Sequence, residues 1–209
     1  MTYEQLKLVN LLSAMEADFP DFKIVNKQDS KLMKFLAKVL FFNKDFMTRY
    51  VTVIGQTVYV PSRDWMKFNP TAALITLSHE WVHMKDNRKW KFLYTLAYLS
   101  PQIFAILAPL GFWNPWFFLF ALCILPLPSL GRSEIELRGY TMTMAVRWWL
   151  YEKEPNYERI SKYFTSSAYY WMYPIKDSVI EDLECNFERI KRLHLKPHEQ
   201  HIFDTIMEE

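Results

Sequence analysis

The chain has 209 residues, enough for one domain carrying a single appendage. Hydrophobic residues make up 51% and aromatics 17%, so a sizeable core is available, and with only 4 glycines the composition is not that of a disordered or low-complexity chain. A net charge of +2 leaves no broad basic surface, which excludes nucleic acid as an expected partner.

Taken in chain order, the first periodicity lies over Tyr3 to Ala17, where Leu6, Val9, Leu11, Leu12 and Met15 recur at helix-like intervals. Acidic residues interrupt this apolar run, so no signal peptide is expected there. Asp29 or Ser30 can cap a second helix, Lys31 to Phe42, with Leu32, Phe35, Leu36, Val39 and Leu40 as its apolar stripe. The period then changes. Thr48 to Pro61, TRYVTVIGQTVYVP, reads as two β-rich runs broken by Gly55-Gln56, either a short hairpin or one strand turning into another. Asn69-Pro70 opens the next helix, with Asn as cap and Pro at the first helical position, and TAALITLSHEWVHMKDN continues it to near Asn87. From Phe92 to Leu130 there follows a 39-residue stretch without Asp, Glu, Lys or Arg. Further helices are expected over Ser133 to Glu152, over Asp177 to Leu193, and after Pro197. Cys123 lies in an apolar context and Cys185 in a charged one, which points to neither a disulfide framework nor a cysteine zinc site and suits a reducing compartment.

His79-Glu80-Trp81-Val82-His83 is an H-E-x-x-H sequence within the long helix. Residues four apart stand one above the other on a helix, so both imidazoles can reach one Zn2+ with bonds of about 2.0–2.1 Å. Glu80 is too near His79 in sequence to share its direction. It can instead address a water at the metal and remove its proton as general base, from a water whose pKa the metal brings towards about 7. The bland alternative is a surface helix with two ordinary histidines, and the apolar patterning and proper cap of this helix weigh against it. A working site needs a third protein ligand and an open position. Glu134 and Glu136, in GRSEIELRGYTMTMA, are the candidates.

Here the sequence resembles the gluzincins, metallopeptidases with H-E-x-x-H and a downstream helical Glu, and more narrowly the M48 family, the membrane-embedded proteases of HtpX and Ste24 type. Three features within Thr48 to Leu150 carry the resemblance: the strand pair ending in TVYVP, the motif, and the charge-free stretch, which sits where HtpX-like proteins place a membrane hairpin. The resemblance implies a mainly α fold with a small antiparallel β-sheet (α+β, zincin-like) in one domain, 1–209, with an apolar helical hairpin, 92–130, inserted in it. It also implies a zinc-dependent endopeptidase whose polypeptide substrate lies extended along an edge strand near Val51, Val53, Val58 and Val60. The family's E-x-x-A-D pattern aligns with Glu136-Leu137-Arg138-Gly139-Tyr140, which favours Glu136 over Glu134 as third ligand. Tyr140 departs from the family Asp. Its hydroxyl could replace the Asp contact to a histidine ligand or serve the oxyanion, or that role is lost. Tyr169, Tyr170, Tyr173, His194, His198 and His201 are further oxyanion candidates, with His198 and His201 read as part of a solvated tail and Asp86 as capping or solvating the motif helix.

Phe92 to Trp113 is long enough to cross a bilayer core of about 30 Å, although Pro101 and Pro109 would bend it. Asn114-Pro115 makes a turn, and Trp116 to Leu125 is a short second arm, reaching only about 15–22 Å. Both a double crossing and a tilted, partly inserted hairpin stay open. Lys85, Arg88, Lys89 and Lys91 precede the stretch and Arg132 and Arg138 follow it, which puts both ends and the active site on the cytoplasmic side of a lipid bilayer bound through 92–130. Trp90, Tyr94 and Trp148 suit the interface. The alternatives are a hairpin packed inside an assembly and, for function, a catalytically inactive zincin-like membrane adaptor or structural protein, for which Tyr140 is an early sign.

Overall fold

The computed structural model describes residues 1–39, 44–167 and 171–208. Its elements in chain order are α1 (Tyr3–Asp18), β1 (Lys23–Asn26), α2 (Lys31–Val39), β2 (Thr52–Ile54), β3 (Thr57–Val60), α3 (Trp65–Phe68) and α4 (Pro70–Trp90). There follow α5 (Phe92–Leu99), α6 (Leu130–Tyr151), α7 (Tyr157–Thr165), α8 (Lys176–Lys191) and α9 (Pro197–Met207), with 3-10 segments at Gln102–Phe112 and Pro115–Ile124. The fold is mainly helical, and the chain forms two compact units, Met1–Met84 with Lys196–Glu209, and Lys85–Leu195.

In the first unit α1 starts at a capping box, in which Thr2 Oγ1 accepts from the Gln5 amide at 3.3 Å and Gln5 Oε1 from the Thr2 amide at 2.9 Å. Leu8, Leu11 and Met15 form its buried face, while Leu6 and Val9 of the expected stripe are exposed. Ser30 caps α2, its Oγ accepting from the Met33 amide at 3.2 Å. Met33 is the buried residue of that helix, and Leu32, Phe35 and Val39 of the expected stripe face outward. Leu40 and Phe42, at the expected end of this helix, lie outside the described residues. The tail is a helix buried along one face: α9 packs on α1 through Ile202 and Ile206, which four-residue spacing puts together, while His201 is exposed and His198 partly buried.

The sheet is mixed rather than antiparallel. β2 and β3 form the expected hairpin, with Val53 opposite Val58 and Gly55 at φ 63 supplying the left-handed turn position. β1 pairs parallel with β3, Ile24 opposite Val58, so the order is β1-β3-β2. A parallel partner needs a long connection, and KIVN is too short and too weakly alternating to announce itself. This topology corrects the edge-strand assignment in part. β3 is central, paired on both sides, and Val58 and Val60 point into the core. Val53 lies on β2, at an edge of the sheet, and Val51 just precedes it.

In the second unit α5 stops at Leu99, where Ser100 donates its amide to Leu96 O at 2.9 Å and Pro101 has no N–H with which to continue. The two 3-10 segments pack on each other. The rings of Phe112 and Phe118 meet edge to face at 5.6 Å, and a Cβ on Gly111 would stand 2.6 Å from the Phe118 ring, so any larger residue there would have to displace that ring. At a rise of about 2 Å per residue each segment spans roughly 20–22 Å, short of a bilayer core of about 30 Å. No single helix among the described residues is long and apolar enough to cross a membrane; α5 and Gln102–Phe112 satisfy length and composition only together, bent by 82°. Helix α6 is capped by Ser129 Oγ, which accepts from the Arg132 amide at 3.3 Å. Met144 of α6 packs with Phe164, Met172, Val179, Leu183 and Phe187 to form this unit's core. Sequence reading passed over α7, although Asn156 caps it by accepting from the Arg159 amide at 2.8 Å.

Candidate metal centre

The motif helix α4 begins where Asn69 O accepts from the Ala73 amide at 2.8 Å and Pro70 occupies the first helical position. Ala73, Leu74, Leu77, Trp81 and Met84 recur at intervals of three and four and are buried. That apolar face fixes the rotation of the helix, and the rest of the motif follows from it. Trp81 is the anchor. It is fully buried, its indole N–H donates to Asp18 Oδ2 at 2.9 Å, and the His201 ring lies across it at 5.2 Å. His201 Nε2 in turn is 3.8 Å from Asp18 Oδ2.

One turn apart on this helix, His79 and His83 are both buried, with their Nε2 atoms 2.9 Å apart and their rings at 80°. Glu136 of α6 is 2% exposed. His79, His83 and Glu136 each offer one ligand atom, and these atoms lie within 4.8 Å of one another. A tetrahedral ion with bonds of about 2.0–2.1 Å separates its ligands by about 3.3 Å. The imidazole nitrogens already stand inside that spacing. Two neutral nitrogen donors and one carboxylate are also a donor set that zinc takes while keeping an open position. The group could therefore bind a metal ion. Glu134, two residues earlier on α6, is exposed, so the helix itself separates the two candidates.

Glu80 is partly buried, and its carboxylate acts electrostatically on Lys27, a residue absent from the candidates drawn from the sequence. Lys27 is fully buried, donating to Phe46 O at 2.6 Å with its ammonium 4.0 Å from the centre of the Phe46 ring. Burial pushes its pKa down from 10.5 to about 8, against the pull of the Glu80 carboxylate.

The other residues singled out from the sequence are placed as follows by their contacts. Asp86 is not a solvated helix end. It is buried and paired with Arg138, Oδ1 to Nη1 at 3.1 Å. Arg132 is buried as well, its Nε donating to Tyr98 O at 2.7 Å and its Nη2 to Gln102 Oε1 at 2.9 Å. Tyr140 stacks on Tyr163 at 5.5 Å and packs against the core of the second unit, as Tyr173 does. His194 is exposed in the turn after α8, and Tyr169 and Tyr170 lie outside the described residues. A phenol outside those candidates, Tyr98, donates its hydroxyl to Glu136 Oε1 at 2.8 Å. Its place within the charge-free stretch hid it. No family model, curated protein or solved structure matches the chain.

Proposed function

We propose that the chain is a zinc-dependent, membrane-associated endopeptidase with His79, His83 and Glu136 as metal ligands and Glu80 as general base. The observation that carries the reading is the convergence of two buried imidazoles and a buried carboxylate beside a fourth side chain, Glu80, whose position in the motif leaves it outside the ligand set. When bound, zinc supplies Lewis-acid polarisation of the scissile carbonyl and acidifies the attacking water. Glu80 accepts the proton of that water and delivers it to the departing amine nitrogen, so one carboxylate serves both halves of the reaction. An extended polypeptide substrate would add main-chain hydrogen bonds to a sheet edge, for which β2, with Val53, is available. The apolar residues Phe112, Trp113 and Trp116, 87%, 87% and 76% exposed, support attachment to a lipid bilayer, and the lysines and arginine of Lys85 to Lys91 support a cytoplasmic site.

The test is zinc content and cleavage of a fluorescein-labelled unfolded polypeptide by the full chain and by Glu80→Gln. The variant should keep zinc and lose about 10²–10⁴ in kcat, the share a positioned acid–base group supplies. Turnover retained in Glu80→Gln overturns the role of that residue. Stoichiometric zinc without any turnover in the unmodified chain would favour the non-catalytic zincin-like adaptor, the reading to which the packed Tyr140 lends some support.

A further inference from the structure

A chain of polar contacts runs through the otherwise apolar stretch and ends on the third ligand. Gln102, just past the end of α5, donates from its side-chain amide to Leu125 O at 3.3 Å and Leu127 O at 3.5 Å, which ties the start of the 3-10 region to its finish. The oxygen of the same amide accepts from Arg132 Nη2 at 2.9 Å. Arg132 Nε donates to the backbone carbonyl of Tyr98 at 2.7 Å, and its guanidinium lies 5.5 Å from the Tyr98 ring centre. Tyr94, one turn earlier on α5, stacks on Tyr98 at 6.1 Å and 13°. The Tyr98 hydroxyl then reaches Glu136 Oε1 at 2.8 Å.

Backbone placement makes this possible. Arg132 and Glu136 are four apart on α6 and so face α5 together. Gly131 lets the two helices meet, for a Cβ there would stand 2.7 Å from Ala97 O and 2.9 Å from Ala97 Cβ. Every contact in the chain lies within the second unit.

We infer that Tyr98 is the positioning residue for Glu136, with Arg132 and Gln102 holding Tyr98 in place, so that residues 92–127 are a working part of the metal centre as well as an apolar surface. The inference rests on the zinc reading above and deepens it. A carboxylate has two oxygens and a free rotation about its last bond. A hydrogen bond fixed on Oε1 removes that rotation and leaves a defined direction for the metal. Such outer partners characteristically set metal affinity within a factor of about 10–100.

The experiment is zinc affinity of the full chain, measured by competition with a chromophoric chelator, alongside the melting temperature of the metal-free protein. Tyr98→Phe keeps the ring and its stack on Tyr94 and deletes only the hydroxyl. Its zinc Kd should rise about 10–100-fold, while the metal-free melting temperature stays near that of the parent. Arg132→Lys, with Tyr98 intact, should raise Kd in the same direction, because an ammonium cannot serve the Tyr98 carbonyl and the Gln102 amide in the same forked geometry. A purely structural role would lower the metal-free melting temperature in both variants and leave Kd alone. Kd values within twofold of the parent overturn the inference while the zinc reading stands; a parent chain that takes up no zinc overturns both.

Discussion

Breaking the Asp86–Arg138 pair tests how firmly α6 is fastened to the last turns of α4, three residues beyond His83 and two beyond Glu136. At 3.1 Å and an effective dielectric of about 20, the attraction is about 5 kcal/mol before desolvation. The two side chains keep only 13% and 27% of their exposure, so much of that is consumed in removing water from them. Asp86 Oδ2 and Arg138 Nε are buried without a hydrogen bond, which lowers the net worth of the pair further. Removing one member is another matter, because it leaves the other charge buried alone. Fully buried pairs lose about 3–5 kcal/mol in that way and exposed ones about 0–1; this partly hydrated pair belongs between, at about 2 kcal/mol. Arg138→Met, which keeps the aliphatic stem, and Asp86→Ala should each cost about that much. Both together should cost little more than either one, a coupling of about 1–2 kcal/mol. Thermal unfolding would register each single change as a drop of roughly 4–8 °C. If the double variant loses the sum of the singles within about 0.5 kcal/mol, the two residues act independently and the fastening argument fails.

Two shorter predictions concern pH and lipid. The Lys27 ammonium has a pKa of about 8 in the fold against 10.5 when unfolded, so between these values the unfolded chain binds the extra proton and stability rises with pH, by at most about 1.4 kcal/mol per pH unit. Lys27→Met should abolish this contribution, and melting curves that rise identically from about pH 8 to pH 10 in both proteins would refute it. On anionic phospholipid vesicles the chain should float with the lipid, and Trp113→Glu with Trp116→Glu should weaken partitioning at least about tenfold; unchanged flotation would show that the exposed arms do not meet the bilayer.

The motif helix was legible because one short stretch carries opening proline, periodicity and ligand pair together, although the Asn69 side-chain amide, expected as its cap, donates instead to Trp65 O at 3.2 Å. Asn69-Pro70 opens it, the buried face from Ala73 to Met84 sets its rotation, and His79 and His83 follow at four-residue spacing. The β2–β3 hairpin was legible for the same local reason, a glycine turn between β-branched runs. What escaped was non-local. β1 takes its identity from a strand more than thirty residues away, and Lys27, Asp86 and Tyr98 take theirs from partners on other elements. The contacts of Arg132 and Arg138 with Gln102 and Asp86 are non-local in the same way. The α2 stripe failed in the opposite sense, since periodicity gives an amphipathic helix without saying which face is covered.

Fifty-two residues separate His83 from Glu136, and that distance in sequence is thermodynamically less important than it looks. Loop closure grows only logarithmically, so doubling an insertion costs about 0.6 kcal/mol. An apolar stretch between a ligand pair and its third member is therefore tolerable on entropic grounds, but a long connection gives no direction to the carboxylate at its end. Direction has to come from contacts. Here Gly131 sets the approach of α6 to α5, Tyr98 takes one carboxylate oxygen, and Arg138 engages Asp86. Two of those three contacts are made with the insertion itself. A soluble loop of equal length would close the chain at the same entropic cost and still leave Glu136 without Tyr98, which is why deleting or replacing 92–127 should disturb zinc binding even where lipid is absent.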